Sequence, residues 1–502
     1  MIEAFTGMGQ GFLIALTAQN LYYCFIGCLF GTVVGVLPGV GPLAGISLLL
    51  PATFGMQPVS ALIMLAGIYY GAMYGGSTTS ILMNIPGEAA SVVTCLDGYQ
   101  MARKGRAGAA LFISAWGSFI GGNLSVLGVA LLAPALAQFA VKFGPAEMFA
   151  IMVLAMMLVG YVGSGSVLKT MCMVLLGLFL GTIGMDTMTG YLRMTYGIKE
   201  LADGIGFIPV AMGLFGIGEI LSSTQDTLVR EVLKPKLREL LPNRDELRRS
   251  WGPIGRGSLL GFLVGLLPGA AHIIAGFGSY ALEKKLAERP GEFGTGRIEG
   301  VAGPEAANNA ATGGAMIPFL SLGIPSGPAT AVMMIALLIH GIKPGPLLIQ
   351  ENPEVFWGVV ASMYIGNVVL LILNLPMVGL FVHLLRIPFR LLFPIILTIC
   401  LIGVYSVNAS PAELWIMLIS GIAGFVLRRF QFDVAPLLLA LIIGPMMELA
   451  FRQSLMMSGG SFKVFFGSPI SVTLIAVSAL LFVGSAVRPL LAARFPKKHL
   501  QP

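Results

Sequence analysis

GVLPGVGP at residues 35–42 and GLLPGAAH at residues 265–272 are one motif that occurs twice in the same chain. A second pair follows in the same order, since GGSTTSILMNIPGEA begins at Gly75 and GGAMIPFLSLGIPSGPA begins at Gly313. Three weaker matches keep that order: SFIGGN with SMYIGN, two helices with paired glycines, and residues 209–219 with 436–448. Five similarities in one order predict two related halves.

Composition indicates a membrane protein. Of 502 residues, 56% are hydrophobic and 11% are charged, whereas soluble domains carry about 25% charged residues. A spanning helix needs about 20 apolar residues, and such stretches recur along the chain, so we expect about ten to twelve crossings. The start of the chain has no basic region or cleavage site, so it is predicted to keep its first helix.

Basic residues predict the orientation of the halves, because short cytoplasmic loops retain Lys and Arg. The loop after Pro51 has no basic residue, whereas its counterpart holds Lys284, Lys285, Arg289 and Arg297. Later loop pairs alternate in the same way, which favours halves that cross the membrane in opposite senses. The basic linker and the tail with Lys497 are then cytoplasmic, and the N-terminus is periplasmic.

The predicted fold is therefore an all-α integral membrane protein with two inverted-topology repeats, broken helices and re-entrant hairpins. We divide the chain into a first repeat (1–221), a cytoplasmic basic linker (222–256), a second repeat (257–469) and an extra C-terminal helix with a cytoplasmic tail (470–502). The net charge of +7 is scattered over short loops, so we expect no nucleic-acid partner.

Helices broken at matching positions mark the expected substrate site of such a transporter. Each break frees backbone N–H groups and exposes a helix N-terminus that suits a carboxylate, while the freed carbonyls could instead hold a cation. A packing kink is the alternative for any one break, and Ser or Thr also bond helix to helix. The predicted substrate-binding residues are Gly39, Ser77, Thr78, Thr79, Asn84, Pro86, Gly87, Gly269, Ser321, Pro325, Ser326 and Gly327.

A polar stripe precedes Gly313. In GPEAANNAAT, residues 303–312, four polar side chains recur at helical spacing: Glu305, Asn308, Asn309 and Thr312. An acidic group within the membrane is costly unless it is paired or functional, so we predict that the stripe couples a cation, Na⁺ or H⁺. The alternative is a helix exposed at the cytoplasmic edge. His272, a lone histidine among apolar residues, is interpreted as packed or hydrogen-bonded.

Enzymatic chemistry is not predicted. The sequence has no hydrolase elbow, zinc-protease motif or phosphate-binding loop. Its five cysteines lie in apolar segments without a CxxC pair, so we expect no disulfide framework, no metal site beyond a transported Na⁺, and no cofactor. An intramembrane enzyme acting on lipid or peptide is the remaining enzymatic alternative, and it lacks a nucleophile–base pair.

Three long segments resemble the large membrane subunit of the tripartite tricarboxylate transporters, the TctA family. They are the stretch from Gly31 to Met56, the stretch from Tyr69 to Gly108, and the stretch from Gly265 to Lys285. The resemblance implies ion-driven uptake of citrate-like or other small carboxylates, commonly with sodium. It implies two partners, a periplasmic solute-binding protein (TctC-like) and a small membrane subunit of about four helices (TctB-like), in the lipid of a bacterial inner membrane.

Analogy with other binding-protein-dependent carriers suggests an elevator motion, with the hairpins around Pro86 and Pro325 carrying the ligand. An alternative left open is a secondary carrier or channel that works without a binding protein.

Overall fold

The structure is a computed structural model. It describes residues 2–37, 41–162, 167–186, 188–218, 221, 241–268, 271–384, 394, 397–398, 400–402, 404–405 and 410–494. Helices dominate this part of the chain, as the apolar composition requires, because a backbone inside lipid must bond to itself. The described part of the chain also contains two short strands, β1 (Gly184–Met185) and β2 (Leu192–Arg193), which pair in an antiparallel hairpin. The all-α fold class is confirmed.

The helices up to the predicted linker are α1 (Ile2–Ala15), α2 (Ala18–Val36), α3 (Gly41–Leu49), α4 (Pro58–Met83), α5 (Val92–Met101), α6 (Ala107–Ala140), α7 (Pro145–Val162), α8 (Val167–Leu180) and α9 (Phe207–Ala211). Those that follow are α10 (Arg244–Gly265), α11 (Ala271–Leu286), α12 (Glu299–Ile317), α13 (Pro328–Ile339), α14 (Leu348–Glu351), α15 (Pro353–Asn374), α16 (Val378–Leu384), α17 (Pro411–Arg429), α18 (Ala435–Met457) and α19 (Pro469–Arg494).

Shorter helical turns link several of these helices. The 3₁₀ turns are Pro51–Thr53, Ala89–Ser91, Lys199–Leu201, Pro290–Glu292 and Phe462–Phe466, and the π turns are Ala102–Arg106, Met212–Ile217 and Pro318–Leu322. Helix α10 begins at Arg244, inside the segment predicted as a linker, and residues 222–240 lie outside the described residues.

Six helical segments in the described part of the chain are long and apolar enough to cross a membrane. They are Ala18–Val36, Pro58–Met83, Ala89–Ala140, Pro353–Asn374, Pro411–Arg429 and Ala435–Met457. Five shorter apolar helices accompany them. The protein is thus a membrane protein, and the expected ten to twelve crossings stay a prediction.

The chain forms two compact units, and each takes segments from both predicted halves. Unit 1 consists of Met1–Val141, Gly206–Leu267 and Ala271–Arg429. Unit 2 consists of Lys142–Ile205, Pro268–Ala270 and Phe430–Pro502.

Within unit 1, two helix pairs pack through glycines spaced four residues apart. On α2, Cβ atoms added to Gly27, Gly31 and Gly35 would lie 2.2, 2.6 and 2.2 Å from carbonyl oxygens of α4. On α10, Cβ atoms added to Gly257, Gly261 and Gly265 would lie 2.3, 2.1 and 2.4 Å from carbonyl oxygens of α12. Small residues allow backbones to approach this closely in membranes. The two halves therefore make the same helix contact at matching positions.

Three charged segments of unit 1 meet at one end. The Lys104 ammonium donates to the carbonyl of Thr295 at 2.6 Å, which joins the loop after α5 to the loop before α12. Arg106 pairs with Glu246 of α10, and Arg249 pairs with Glu299 at 2.8 Å. The linker and the loop before α12 were predicted to be cytoplasmic from their basic residues, and the segment with Lys104 and Arg106 is basic as well. Their contacts require that they lie on the same side.

Within unit 2, α8 runs between a basic end and the β1–β2 hairpin. At its start, the Lys169 ammonium donates to the carbonyl of Phe430 at 2.7 Å, next in the sequence to Arg428 and Arg429. The hairpin follows the other end of α8. There, Asp186 pairs with Arg452 at 2.8 Å and with Arg193, and Arg193 also pairs with Glu448 at 2.8 Å. This ion-pair network fixes the hairpin to α18.

Candidate functional site

Two helix breaks of unit 1 have the same backbone geometry. Helix α4 ends at Met83, and the next residue, Asn84, has a φ of 57° in the left-handed region. The π turn after α12 ends at Leu322, and the next residue, Gly323, has a φ of 70°. Ile-Pro follows each of these residues. A left-handed residue stops a helix by turning the next N–H away from its ladder, so the two sequence motifs produce equivalent breaks.

The chain after each break folds back onto the helix before it at the same place. The N–H of Gly87 donates to the carbonyl of Gly76 at 3.4 Å. In the other half, the hydroxyl of Ser326 donates to the carbonyl of Ala315 at 2.7 Å. A Cβ at position 87 would lie 2.1 Å from the carbonyl oxygen of Gly35, so only glycine fits there.

The helix that follows each break is capped by an equivalent hydroxyl. Ser91 accepts from the N–H of Glu88 at 3.3 Å and donates to its carbonyl at 2.8 Å. Thr330 accepts from the N–H of Gly327 at 2.9 Å and donates to its carbonyl at 2.9 Å. The two caps are repeat-related down to single hydrogen bonds.

The two breaks differ in charge. The carboxylate of Glu88 accepts the N–H of Ala90 at 2.7 Å, so the helix start after the first break already holds an anion. Gly327 stands at the equivalent position of the second break. Within the described residues, α13 has no acidic residue in its first turn, and the Thr330 hydroxyl accepts only the N–H of Gly327. No acidic residue of its own first turn therefore neutralises the partial positive charge at this second helix start.

The predicted substrate-binding residues differ in what their side chains contact. Ser77 bonds to Glu305, and Thr79 donates to the carbonyl of Val36 at 2.6 Å, which ties α4 to α2. Thr78 is buried on α4. Ser321 is fully buried, and its hydroxyl has no partner among the described residues. Pro86 and Pro325 lie in the breaks, whereas Gly39 and Gly269 lie outside the described residues.

The predicted polar stripe is buried, with Glu305, Asn308, Asn309 and Thr312 at most 3% exposed. The alternative of an exposed helix is therefore wrong. The Glu305 carboxylate accepts hydrogen bonds from the hydroxyls of Ser77 at 2.7 Å and Ser118 at 3.4 Å, and from the hydroxyl of Thr94. Three hydroxyls of the first half thus surround one buried carboxylate of the second half.

The two asparagines connect this carboxylate to its surroundings. Asn309 donates to the hydroxyl of Ser118 at 2.7 Å and to the carbonyl of Glu305 at 3.2 Å. Asn308 donates to the Glu88 carboxylate at 3.3 Å. The Oδ1 atoms of both asparagines are buried and have no partner among the described residues. Thr312 donates to the carbonyl of Asn308 at 3.2 Å, so its hydroxyl serves its own helix.

This cluster holds more acceptors than donors. Glu88 is 9% exposed and Glu305 1% exposed. Among the ion pairs of the described residues, neither carboxylate has a Lys or Arg partner. An isolated carboxylate is costly to bury. The arrangement can therefore accept positive charge, as a cation or a proton.

Sequence reasoning missed three residues of the site: Glu88, Thr94 and Ser118. Glu88 follows the Asn-Ile-Pro-Gly motif directly, and an acidic residue beside a break was a usable signal. Thr94 and Ser118 are ordinary polar residues of apolar helices, and only packing brings them to Glu305. The interpretation of His272 is confirmed, since it forms a 3.0 Å hydrogen bond with the hydroxyl of Tyr69.

Comparison with known proteins identifies the family of this chain. Residues 21–439 match the model of the tripartite tricarboxylate transporter TctA family. The chain is 49% identical over 477 residues to an uncharacterized 52.8 kDa protein in the TAR-I ttuC' 3'region of Agrobacterium vitis, covering 95% of each chain. It is 47% identical over 223 residues to an uncharacterized protein in the TAR-II ttuC' 3'region of the same organism, covering 44% of this chain and 92% of that one. No solved structure matches.

Proposed function

Because the chain belongs to the TctA family of tripartite tricarboxylate transporters, we propose that it takes up tricarboxylates or other small carboxylates as the large permease subunit of a binding-protein-dependent secondary transporter. Membership makes it a transporter and not an enzyme. The observation that carries the proposal is the pair of equivalent helix breaks, one of which leaves its helix start without an anion.

The substrate carboxylate binds at the second break in this proposal. Glu88 occupies the helix start after the first break and repels a second anion there. At the second break, Gly327 leaves the N–H groups of α13 open to a carboxylate, which the helix dipole favours. Ser321 and Ser326 add buried hydroxyls nearby in the sequence. In this proposal the substrate also contacts Asn84, Pro86 and Gly87 of the first break.

Uptake needs co-transported cations for an electrostatic reason. A negative-inside potential of 100 mV costs about 2.3 kcal/mol for each negative charge moved inward. A di- or tricarboxylate therefore accumulates only when cations enter with it. Glu305, Asn308, Asn309 and Thr312 lie on the helix that leads to the second break, so we assign the coupling cation, Na⁺ or H⁺, to this stripe.

Orientation and partners follow from the loops and the family. The three charged segments that meet in unit 1 lie on the cytoplasmic side of the inner membrane in our proposal, which makes the N-terminus periplasmic and the C-terminus cytoplasmic. Membership of the family implies a tripartite system with TctB and TctC partners. We propose that a periplasmic binding protein delivers the carboxylate and that the hairpins around both breaks carry it in an elevator-like motion.

The test is uptake of labelled citrate, and of other di- and tricarboxylates, into proteoliposomes that contain the chain and its small subunit. We expect accumulation only with both the binding protein and an inward cation gradient. Accumulation that is unchanged when the binding protein is omitted would support the alternative, an ordinary secondary carrier. Absence of any carboxylate flux, with the folded protein present, would reject the proposal.

A further inference from the structure

We infer that the Glu305 cluster is a binding site for a single sodium ion, formed by the Glu305 carboxylate, the hydroxyl oxygens of Ser77, Thr94 and Ser118, and Oδ1 of Asn309. This inference rests on the proposed function, and it narrows the coupling ion and its ligands. It replaces part of the sequence prediction, since three of the ligands come from α4, α5 and α6 and not from the stripe on α12.

The donors around Glu305 are of a kind that a cation can replace. A hydroxyl carries one hydrogen and two lone pairs, and its hydrogen rotates to suit the partner. The Ser77, Thr94 and Ser118 hydroxyls now donate to the carboxylate. When a cation binds, each can turn its hydrogen away and present a lone pair. Glu88 differs, because N–H groups of Ala90 and Asn308 point at it and cannot become ligands.

An unused acceptor in the cluster is the second and independent observation. The amide of Asn309 is anchored by two donated hydrogen bonds, to Ser118 and to the carbonyl of Glu305. Its Oδ1 is buried and has no partner among the described residues, and a buried acceptor without a donor is destabilising. A cation would satisfy this oxygen together with the carboxylate.

The ligand chemistry selects the ion. All five ligands are oxygens, which suit hard cations and not Zn²⁺ or Cu²⁺. Within the described residues, no group of three or more His, Cys, Asp or Glu side chains could hold a metal ion. One carboxylate balances one positive charge, which favours a monovalent ion. The Ser77 and Ser118 oxygens lie 2.7 and 3.4 Å from the carboxylate, and this compact spacing favours sodium over the larger potassium ion.

The site occurs once, although the fold repeats. Counted from Asn84 and Gly323, the positions equivalent to Ser77 and Thr94 are Met316 and Met333, whose side chains are apolar. Ser77 precedes the first break and Thr94 follows it, so an ion bound to both and to Glu305 would clamp the first hairpin against α12. The two breaks then have separate tasks, the first closing around the cation and the second binding the substrate carboxylate.

The test measures ion binding directly and does not depend on transport. Purified protein in nanodiscs is titrated with ²²Na⁺ by scintillation proximity, with and without excess KCl and without carboxylate. We expect one saturable site per chain that potassium does not displace. Ser118→Ala and Thr94→Val should weaken sodium binding by about tenfold or more, since each removes one ligand, and Glu305→Gln should abolish it.

Matched variants separate a lost ligand from a lost fold. Thr94→Ser retains the hydroxyl and should bind sodium within about twofold of the parent. Thr32→Val removes a buried hydroxyl that donates to the carbonyl of Cys28, and it should bind sodium like the parent. Size-exclusion chromatography confirms folding of each variant.

Two outcomes would overturn the site. Either the parent protein binds no sodium while carboxylate flux persists, or Ser118→Ala and Thr94→Val bind sodium with parental affinity. In both cases the proposed transport function stands. Conversely, sodium binding that behaves as expected, in a protein that moves no carboxylate, supports the site and rejects the proposed function.

Discussion

The hydroxyl of Ser77 donates a 2.7 Å hydrogen bond to the carboxylate of Glu305. Ser77 lies on α4 before the first helix break, and Glu305 lies on α12 before the second. The bond therefore joins equivalent helices of the two halves, at the point where the buried acidic group needs a donor. The first half supplies the donor and the second half supplies the acceptor, so neither half forms the site alone.

The role of the helix start at the second break can be tested by introducing the acidic residue that the first break has. Gly327→Glu places a carboxylate at the position equivalent to Glu88, and the extended backbone of Gly327, with φ −169°, is one that any residue adopts. The new anion should compete with the substrate carboxylate for the start of α13. We expect carboxylate uptake to fall by about tenfold or more.

Gly327→Gln is the matched control, since it has the same size and no charge. It should retain clearly more uptake than Gly327→Glu. Equal loss of uptake in both variants would indicate a steric effect and would remove the electrostatic argument for substrate binding at α13.

Removal of a hydroxyl that bonds two helices should lower stability, whereas removal of a hydroxyl that faces the substrate should raise KM. Thr79→Val removes the 2.6 Å bond to Val36 and should lower stability by about 1 kcal/mol, with an unchanged KM. Ser321→Ala removes a hydroxyl without a partner in the described structure, so it should raise KM without lowering the unfolding temperature. Thermal unfolding and uptake kinetics on the same preparations decide between them. The reverse pattern would assign the substrate contact to Thr79.

Close helix packing predicts a contrast between two glycines of α10. A Cβ at Gly261 would lie 2.1 Å from the carbonyl oxygen of Ala307, whereas a Cβ at Gly255 would meet nothing within 4 Å. Gly261→Ala should therefore destabilise the protein by about 1–3 kcal/mol through overpacking. Gly255→Ala should be neutral or stabilising, because alanine favours the helix. Thermal unfolding in detergent measures both, and equal effects would contradict the packing of α10 on α12.

The Asp186 network predicts a dependence on pH. Arg452 and Arg193 hold the pKa of the Asp186 carboxyl well below its usual range. A carboxyl whose pKa is lower in the folded than in the unfolded protein stabilises the fold fully above the unfolded value, about 4, and progressively less as pH falls below it. Asp186→Asn should therefore lower the unfolding temperature at pH 7, and by less at pH 3.

Asp203 is the matched control, because it is an exposed acid of the same loop region. Asp203→Asn should leave the unfolding temperature unchanged at both values of pH. A loss in Asp186→Asn that is the same at pH 7 and pH 3 would show that the ion pairs do not contribute the stability.

Opposite membrane sides are predicted for two exposed positions. Tyr196, which is 88% exposed, follows the β1–β2 hairpin at the end of α8 remote from Lys169. Lys285 lies in the last turn of α11, which leads into a loop that we propose to be cytoplasmic. In a background without the five native cysteines, Tyr196→Cys should react with an impermeant maleimide in intact spheroplasts. Lys285→Cys should react only after permeabilisation, and labelling of both in intact cells would reject the inverted topology.

Membrane class, the two related halves, the helix breaks and the buried polar stripe were all readable from the sequence. These features depend on local properties, because hydrophobic length determines insertion and a Pro-Gly motif interrupts a helix wherever it occurs. The sequence repeat also indicates that the two breaks are equivalent, since Asn84 and Gly323 each precede an Ile-Pro pair.

Only the tertiary structure decided what each polar side chain does. Thr79 and Ser77 are neighbours in one Ser/Thr run, yet one bonds a backbone carbonyl of α2 and the other bonds Glu305. Glu88 caps the helix start after the first break, where the sequence analysis predicted that a substrate carboxylate would bind. A hydrogen bond depends on distances of a few ångströms between segments remote in the chain, and these distances arise from how the glycine-lined helices of both halves pack together.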